Sequence, residues 1–124
     1  MNNERRNYPK VALETEANLL ICGVVRSATV LNLSPSGLQL ECRRQIVERM
    51  AEQKRASGMY PDFELEFDLP ANEPAKTQVK SSCSIAYCRR LSQNTYHLDL
   101  NFVNLSETDK KRLSDFIHHS ATSQ

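Results

Sequence analysis

The sequence predicts a mainly β protein, a small antiparallel barrel of six or seven strands with an inserted helix and a C-terminal helix. Apolar and polar residues alternate over several short segments that are separated by turn residues, which is the pattern of strands with one buried face. Two further segments have helical spacing instead, and they fit the outside of a closed sheet. A chain of 124 residues supports one hydrophobic core.

The first strands come from residues 10–42, which are rich in Leu, Val, Ile and Thr. Gly23 interrupts this stretch, and so does the run Ser-Pro-Ser-Gly at 34–37. Because glycine, proline and serine favour turns, the segment predicts three strands joined by two turns.

An inserted helix is predicted over residues 43–56. Ile46, Val47 and Met50 recur at helical spacing among charged residues, and Gly58 follows as a stop. The apolar face is narrow, so we expect this helix to lie beside the barrel as an insertion.

Three more strands follow. Phe63, Leu65, Phe67 and Leu69 alternate with acidic residues up to Pro70. Two later segments, separated by the polar loop 92–95, alternate in the same way, and in the first of them Tyr87 shares the parity of Ile85. The predicted core residues are Leu40, Phe63, Leu65, Phe67, Ile85, Leu98, Leu100 and Phe102.

The chain is predicted to end in a helix over about 106–119. Ser106 followed by Asp109 resembles a capping box, and Leu113, Phe116 and Ile117 form the apolar stripe. We therefore expect a flexible N-terminal arm at 1–10 and one barrel domain at 11–120.

Composition counts against several classes of function, and single-strand nucleic-acid binding by a small barrel is kept only as a minor third alternative. The formal net charge is only +1, and 6% of the residues are aromatic, which disfavours a nucleic-acid binder. No apolar run approaches the roughly 20 residues of a membrane helix, so we expect a cytoplasmic protein without membrane insertion. The cysteines have no CxxC spacing and are interpreted as free, buried thiols, without a metal site: Cys22, Cys42, Cys83 and Cys88.

No catalytic arrangement accompanies the histidines. His118 and His119 are adjacent on a helix and therefore point in different directions, and His97 stands in a strand. No nucleophile, paired carboxylates or glycine-rich phosphate loop accompanies these histidines, so we expect no enzyme activity and no cofactor.

Two local patterns stand out from this background. The first is Arg-Arg-Asn-Tyr-Pro-Lys at 5–10, and the second is Asn-Leu-Ser-Pro-Ser-Gly at 32–37. Alone, the first is an ordinary charged terminus and the second an ordinary turn. Together, in this order and separation, they resemble the PilZ domain signature, an RxxxR segment followed by [D/N]xSxxG.

This resemblance implies a receptor for cyclic di-GMP whose N-terminal arm closes over a polar turn. The implied ligand-binding residues are Arg5, Arg6, Lys10, Asn32, Ser34 and Gly37. The ligand carries two phosphates and two guanines, and arginine is suited to both because its planar fork pairs with phosphate and with the guanine edge. Tyr87 and Arg89 are secondary candidates at the ligand edge, although a tyrosine on the inner face of a strand is more often a core residue.

The sequence departs from the family pattern in two places. Lys10 replaces the second arginine and cannot form its bidentate fork. The strand 95–103 lacks a glycine that many members have, which we interpret as a structural variation. The alternative hypothesis is therefore an adaptor of the same fold that binds a protein partner and no nucleotide.

Two properties stay open at the level of sequence. Arg5 precedes the RxxxR-like segment, a position where the resemblance implies that arginine favours an intercalated pair of nucleotides over a single one. The protein partner is unidentified, and the chain is expected to be a monomer or a homodimer.

Overall fold

Antiparallel strands close into a barrel in the computed structural model, which describes residues 10–54, 58–69 and 77–122. Within these ranges the strands are β1 (Val11–Ile21), β2 (Val24–Ser34), β3 (Gly37–Arg43), β4 (Phe63–Leu69), β5 (Thr77–Arg90) and β6 (Thr95–Phe102). The helices are α1 (Arg44–Glu52) and α2 (Glu107–Thr122). The predicted fold class is confirmed, with six strands in the barrel.

The strand order around the barrel is β1-β2-β3-β6-β5-β4. Neighbouring hairpins form most of it, but β3 pairs with β6 and β1 pairs with β4, so the first and second halves of the chain meet along two seams. A closed barrel leaves no unpaired strand edge. The β3–β6 seam brings residues about 60 positions apart in sequence into direct register.

The core fills the inside of the barrel. Six of the eight predicted core residues are buried, while Ile85 and Phe102 are partly buried against them. Both helices contribute to the same core, through Ile46 and Met50 of α1 and through Leu113 and Ile117 of α2. The narrow apolar face of α1 is thus enough to join the core from outside the sheet.

The helix ends follow local hydrogen bonding. Ser106 Oγ accepts a hydrogen bond from the backbone N–H of Asp109 at 3.1 Å, which is the N-cap bond predicted for α2. The carboxylate of Asp109 accepts instead from the backbone N–H of Lys80 on β5, at 3.5 Å. Neither helix in the described ranges is long and apolar enough to cross a membrane.

The cysteines differ in their surroundings. All four thiols are free, and Cys42 and Cys83 are buried as predicted. Cys88 is only partly buried, and the expectation of burial is wrong for Cys22, which is exposed. It stands in the turn between β1 and β2 with φ of 54°, beside Gly23 with φ of 78°, and this tight two-residue turn projects beyond the core.

Candidate functional site

The turn between β2 and β3 holds two of the predicted site residues. Ser34 pairs with Gly37 across the turn, and the hydroxyl of Ser34 donates to the carbonyl of Gly37 at 3.2 Å. The oxygen atoms of the Ser34 and Ser36 hydroxyls lie 3.5 Å apart. Ser34 therefore stabilises the turn, and the residue is only partly buried.

Gly37 is needed for a different reason from the one that its sequence context suggests. A turn glycine usually supplies a positive φ, but the glycines with positive φ in the described ranges are Gly23 and Gly58. A β-carbon at Gly37 would overlap the carbonyl oxygen of Leu100 and lie 3.2 Å from the Cα of Asn101. Gly37 permits the close approach of β3 to β6.

A β-bulge turns Asn32 to the outside of the barrel. Val30 pairs with Leu40 and Asn32 pairs with Gln39, so Leu31 is the extra residue. Without it, Asn32 would have the parity of Val30 and point into the core. With it, Leu33 is buried and the Asn32 side chain lies on the outer face.

Three polar side chains on the outer face form a chain of hydrogen bonds across β2, β3 and β6. Asn32 Nδ2 donates to Gln39 Oε1 at 3.0 Å, and Gln39 Nε2 donates to Asp99 Oδ1 at 3.1 Å. The backbone register puts the same residues opposite one another. We call this set, Asn32, Gln39 and Asp99, the polar relay.

Gln39 and Asp99 were missed by sequence reasoning. Each lies in a strand whose alternation marks it only as solvent-facing, and the β3–β6 pairing that joins them is not visible in a single sequence. The strand 95–103, interpreted above as a structural variation, supplies one end of the relay.

A second bulge puts Tyr87 on the outer face of the barrel. Ile85 pairs with Leu100 and Tyr87 pairs with Asp99, which leaves Ala86 as the extra residue. The inner-face assignment of Tyr87 is therefore wrong, and its side chain is 58% exposed. The bulge places Tyr87 beside Asp99, in the same cross-strand row as the polar relay.

Arg89 belongs to the neighbouring row. It is exposed and pairs with His97, which in turn pairs with Glu41. His97 Nε2 lies 3.1 Å from Glu41 Oε1, while His97 Nδ1 is buried and has no hydrogen-bond partner among the described residues. Arg89 thus borders the face that carries Asn32 and Tyr87, one row away from the relay.

The remaining predicted residues are at or before the start of β1. Lys10 is exposed and directly precedes Val11, which pairs with Leu33. Arg5 and Arg6 lie outside the described residues. The chain therefore enters the barrel beside the β2–β3 turn, next to Asn32 and Ser34.

The buried thiols have raised pKa values and so stay protonated. Burial raises the pKa of Cys42 from 9.0 to about 12, with smaller contributions from Cys88 and Glu41. Burial likewise raises the pKa of Cys83 to about 12, with a smaller contribution from Asp62. Nowhere in residues 10–54, 58–69 and 77–122 do three His, Cys, Asp or Glu side chains gather as metal ligands.

Known proteins share this architecture. The family model for the PilZ domain matches residues 4–119. Among solved structures, the PilZ domain with c-di-GMP of YcgR from Escherichia coli has a TM-score of 0.58 at 11% identity, over 96% of this chain and 93% of that one. No curated protein sequence matches the chain.

Two longer proteins contain the same fold. The Bacillus subtilis inhibitor of motility, MotI/DgrA, has a TM-score of 0.72 at 12% identity, over 97% of this chain and 53% of that one. The Borreliella burgdorferi PlzA protein in complex with c-di-GMP has a TM-score of 0.58 at 9% identity, over 93% and 52%. This chain spans about half the length of those two proteins.

Proposed function

Because the chain belongs to the PilZ domain family, we propose that it is a receptor for cyclic di-GMP that acts through binding and has no catalytic role. The structures of PlzA and of the PilZ domain of YcgR, which have the same fold, contain this nucleotide. The observation that carries the proposal is the register of β1. Pairing of Val11 with Leu33 puts Lys10 beside the polar face around Asn32 and Ser34, and Arg6 is only four residues earlier in the sequence.

The lengths of the arm and the face support the same proposal. Arg6 is four residues before Lys10, so their backbones are separated by at most about 14 Å. The cross-strand row from Asn32 to Tyr87 spans three strand spacings, also about 14 Å. Lys10 directly precedes β1, one strand before Asn32, so a fully extended arm brings the backbone of Arg6 about as far as β6, and the arginine side chain extends beyond that.

The roles of the residues follow from their chemistry. Arg5 and Arg6 supply planar cations for phosphate and for stacking on guanine, and Lys10 supplies a point charge for phosphate. Asn32 and Ser34 present an amide and a hydroxyl to a guanine edge. Tyr87 and Arg89 supply a ring and a cation at the far side of the face. The proposal includes a cytoplasmic location and a partner protein that senses the closed arm.

Titration calorimetry tests the proposal directly. We expect micromolar or tighter binding of cyclic di-GMP and no comparable binding of GTP or cyclic GMP. Arg6→Ala should abolish binding, and Asn32→Ala should weaken it about tenfold, the value of one hydrogen bond of roughly 1.4 kcal/mol. Arg49→Ala is the matched control, because Arg49 is exposed on α1 and pairs with Glu52 of the same helix. Absence of heat with wild-type protein at high nucleotide concentration would refute the proposal.

One observation favours the second candidate, an adaptor that binds a partner protein without nucleotide. The end of the β1–β2 hairpin exposes Leu20, Val24 and Val25, with Val25 63% exposed. Leu20 and Val25 line a cavity of about 180 Å³ with Glu64 and Lys80. Exposed apolar groups of this kind suit a protein contact.

The two candidates differ in the effects of two variants. Under the receptor hypothesis Arg6→Ala removes nucleotide binding and the dependent partner signal. Under the adaptor hypothesis Arg6→Ala leaves partner binding intact and Val25→Asp weakens it.

A further inference from the structure

The polar relay has a fixed direction. A carboxylate only accepts hydrogen bonds, so Asp99 requires the donating end of the Gln39 amide. The accepting end of Gln39 then faces Asn32, which must turn its own donating end toward Gln39. The two bonds of 3.0 and 3.1 Å have this order. The carbonyl oxygen of Asn32 is consequently directed away from Gln39.

We propose that Gln39 and Asp99 are positioning residues that hold Asn32 as a hydrogen-bond acceptor toward the ligand. The two ends of a primary amide have nearly the same shape, so only its hydrogen bonds decide which end faces the nucleotide. The inference rests on the proposed function, because it treats the outer face at Asn32 as the nucleotide site. An acceptor there selects the N–H groups of guanine at N1 and N2 over its O6 and N7 acceptors.

A specific dependence between positions 32 and 99 follows. In Asn32→Asp, the residues at both ends of the relay are carboxylates that only accept hydrogen bonds. The single NH2 group of Gln39 cannot donate to both of them, because they lie on opposite sides of it. The accepting end of Gln39 must then face a carboxylate. Adding Asp99→Asn restores a consistent order, because Gln39 can turn over, donate to the new carboxylate at position 32 and accept from the new amide at position 99.

Direct repulsion between two carboxylates would also couple these positions, and Gln39→Leu separates the two causes. Residues 32 and 99 are two strands apart, about 10 Å. A leucine between them breaks the relay but leaves both charges in place. The relay therefore predicts coupling only when residue 39 is glutamine.

The test is a double-mutant cycle measured by urea unfolding without nucleotide. Asn32→Asp, Asp99→Asn and the double variant are made in the wild-type background and again in the Gln39→Leu background. We expect Asn32→Asp to lower the urea midpoint, the double variant to recover most of that loss, and the recovery to disappear in the Gln39→Leu background. Equal recovery in both backgrounds, or no recovery in either, overturns the relay.

A spectroscopic measurement on the wild-type protein decides the direction without any variant. The NH2 protons of Gln39 should show nuclear Overhauser effects to the β-protons of Asp99, and those of Asn32 should show them to the γ-protons of Gln39. The reverse pattern, with the NH2 protons of Gln39 close to Asn32, contradicts the proposal.

A nucleotide titration then links the relay to binding. We expect Gln39→Leu to weaken cyclic di-GMP binding about two- to tenfold, since a freely turning Asn32 presents its oxygen only part of the time. Gln78→Leu is the matched control, because Gln78 lies on β5 and bonds to Glu66 at 3.4 Å. If wild-type protein binds no nucleotide, the receptor proposal fails while the unfolding cycle still decides the relay. Normal affinity in Gln39→Leu, with binding intact in wild type, contradicts the positioning role.

Discussion

Gly37 approaches the carbonyl group of Leu100 so closely that no β-carbon fits between them. The neighbouring atoms belong to the backbone of β6, which is held in the barrel on both sides and cannot move aside as a flexible side chain would. We therefore expect Gly37→Ala to lower the free energy of unfolding by about 3 kcal/mol, the upper end of the range for overpacking. Urea unfolding measures this loss.

Gly23→Ala is the comparison for that prediction. Gly23 has φ of 78° but open space around its Cα, so alanine there incurs only the backbone strain of about 1 kcal/mol. Equal losses for the two variants would mean that β6 yields to the added carbon, and that close approach is not the reason for the glycine.

The barrel could be predicted from the sequence because its alternation is regular in most strands. Phe63, Leu65 and Phe67 keep one parity over the whole of β4, and all three are buried. The outer face could not be predicted as well, because it depends on two bulges. One extra residue at Leu31 and one at Ala86 reverse the parity that follows, and neither has a glycine or proline to mark it.

The polar relay could not be predicted from the sequence for a further reason. Gln39 and Asp99 are solvent-facing polar residues 60 positions apart, and only the β3–β6 register makes them partners. Asn32 and Ser34 are predicted as site residues because their spacing is a family pattern. A residue whose role is to orient another residue has no such local pattern, so it becomes visible only when the strands are paired.

The buried thiols predict a loss of stability at alkaline pH. Cys42 and Cys83 have pKa values of about 12 in the folded protein, raised from 9.0 by burial. Each thiol therefore keeps its proton when folded and loses it when unfolded between those values. Its contribution to stability is complete below pH 9 and is lost as the pH rises toward 12. The slope is at most about 1.4 kcal/mol per pH unit for each thiol.

Urea unfolding between about pH 8 and about pH 11 measures this slope. We expect the Cys42→Ala, Cys83→Ala double variant to be less stable at the lower pH but to lose stability less steeply above pH 9. Identical slopes in the wild type and the double variant would assign the alkaline loss to other groups.

The exposed ring of Tyr87 predicts a separation between stability and binding. Its side chain lies outside the core, so Tyr87→Ala should change the free energy of unfolding by no more than about 0.5 kcal/mol. If the ring stacks on a guanine of the bound nucleotide, the same variant should weaken cyclic di-GMP binding at least about fivefold, since stacking contributes roughly 1 to 3 kcal/mol per base.

Tyr87→Phe is the matched variant, because it keeps the ring and removes only the hydroxyl. It should bind with nearly wild-type affinity in the same calorimetric titration. Unchanged affinity in Tyr87→Ala would place the ligand away from this part of the face.

Arg5 leads to the final prediction, on stoichiometry. The PilZ resemblance implies that an arginine just before the RxxxR-like segment favours an intercalated pair of nucleotides. A pair presents four guanines and four phosphates, so a second guanidinium beside Arg6 has partners for both charge and stacking. Lys10 acts in the opposite direction, because it lacks the planar fork that would clamp the pair. We expect the two adjacent arginines to outweigh that loss.

The binding ratio of wild type and Arg5→Leu measures the outcome. Calorimetry at protein concentrations well above the Kd should give two nucleotides per chain for wild type and one for Arg5→Leu, since leucine removes the second cation and keeps an apolar side chain of moderate size. Lys10→Arg should keep the ratio of two and bind more tightly, because it restores the fork. A ratio of one in both wild type and Arg5→Leu contradicts the pair and limits the arm to closing over a single nucleotide.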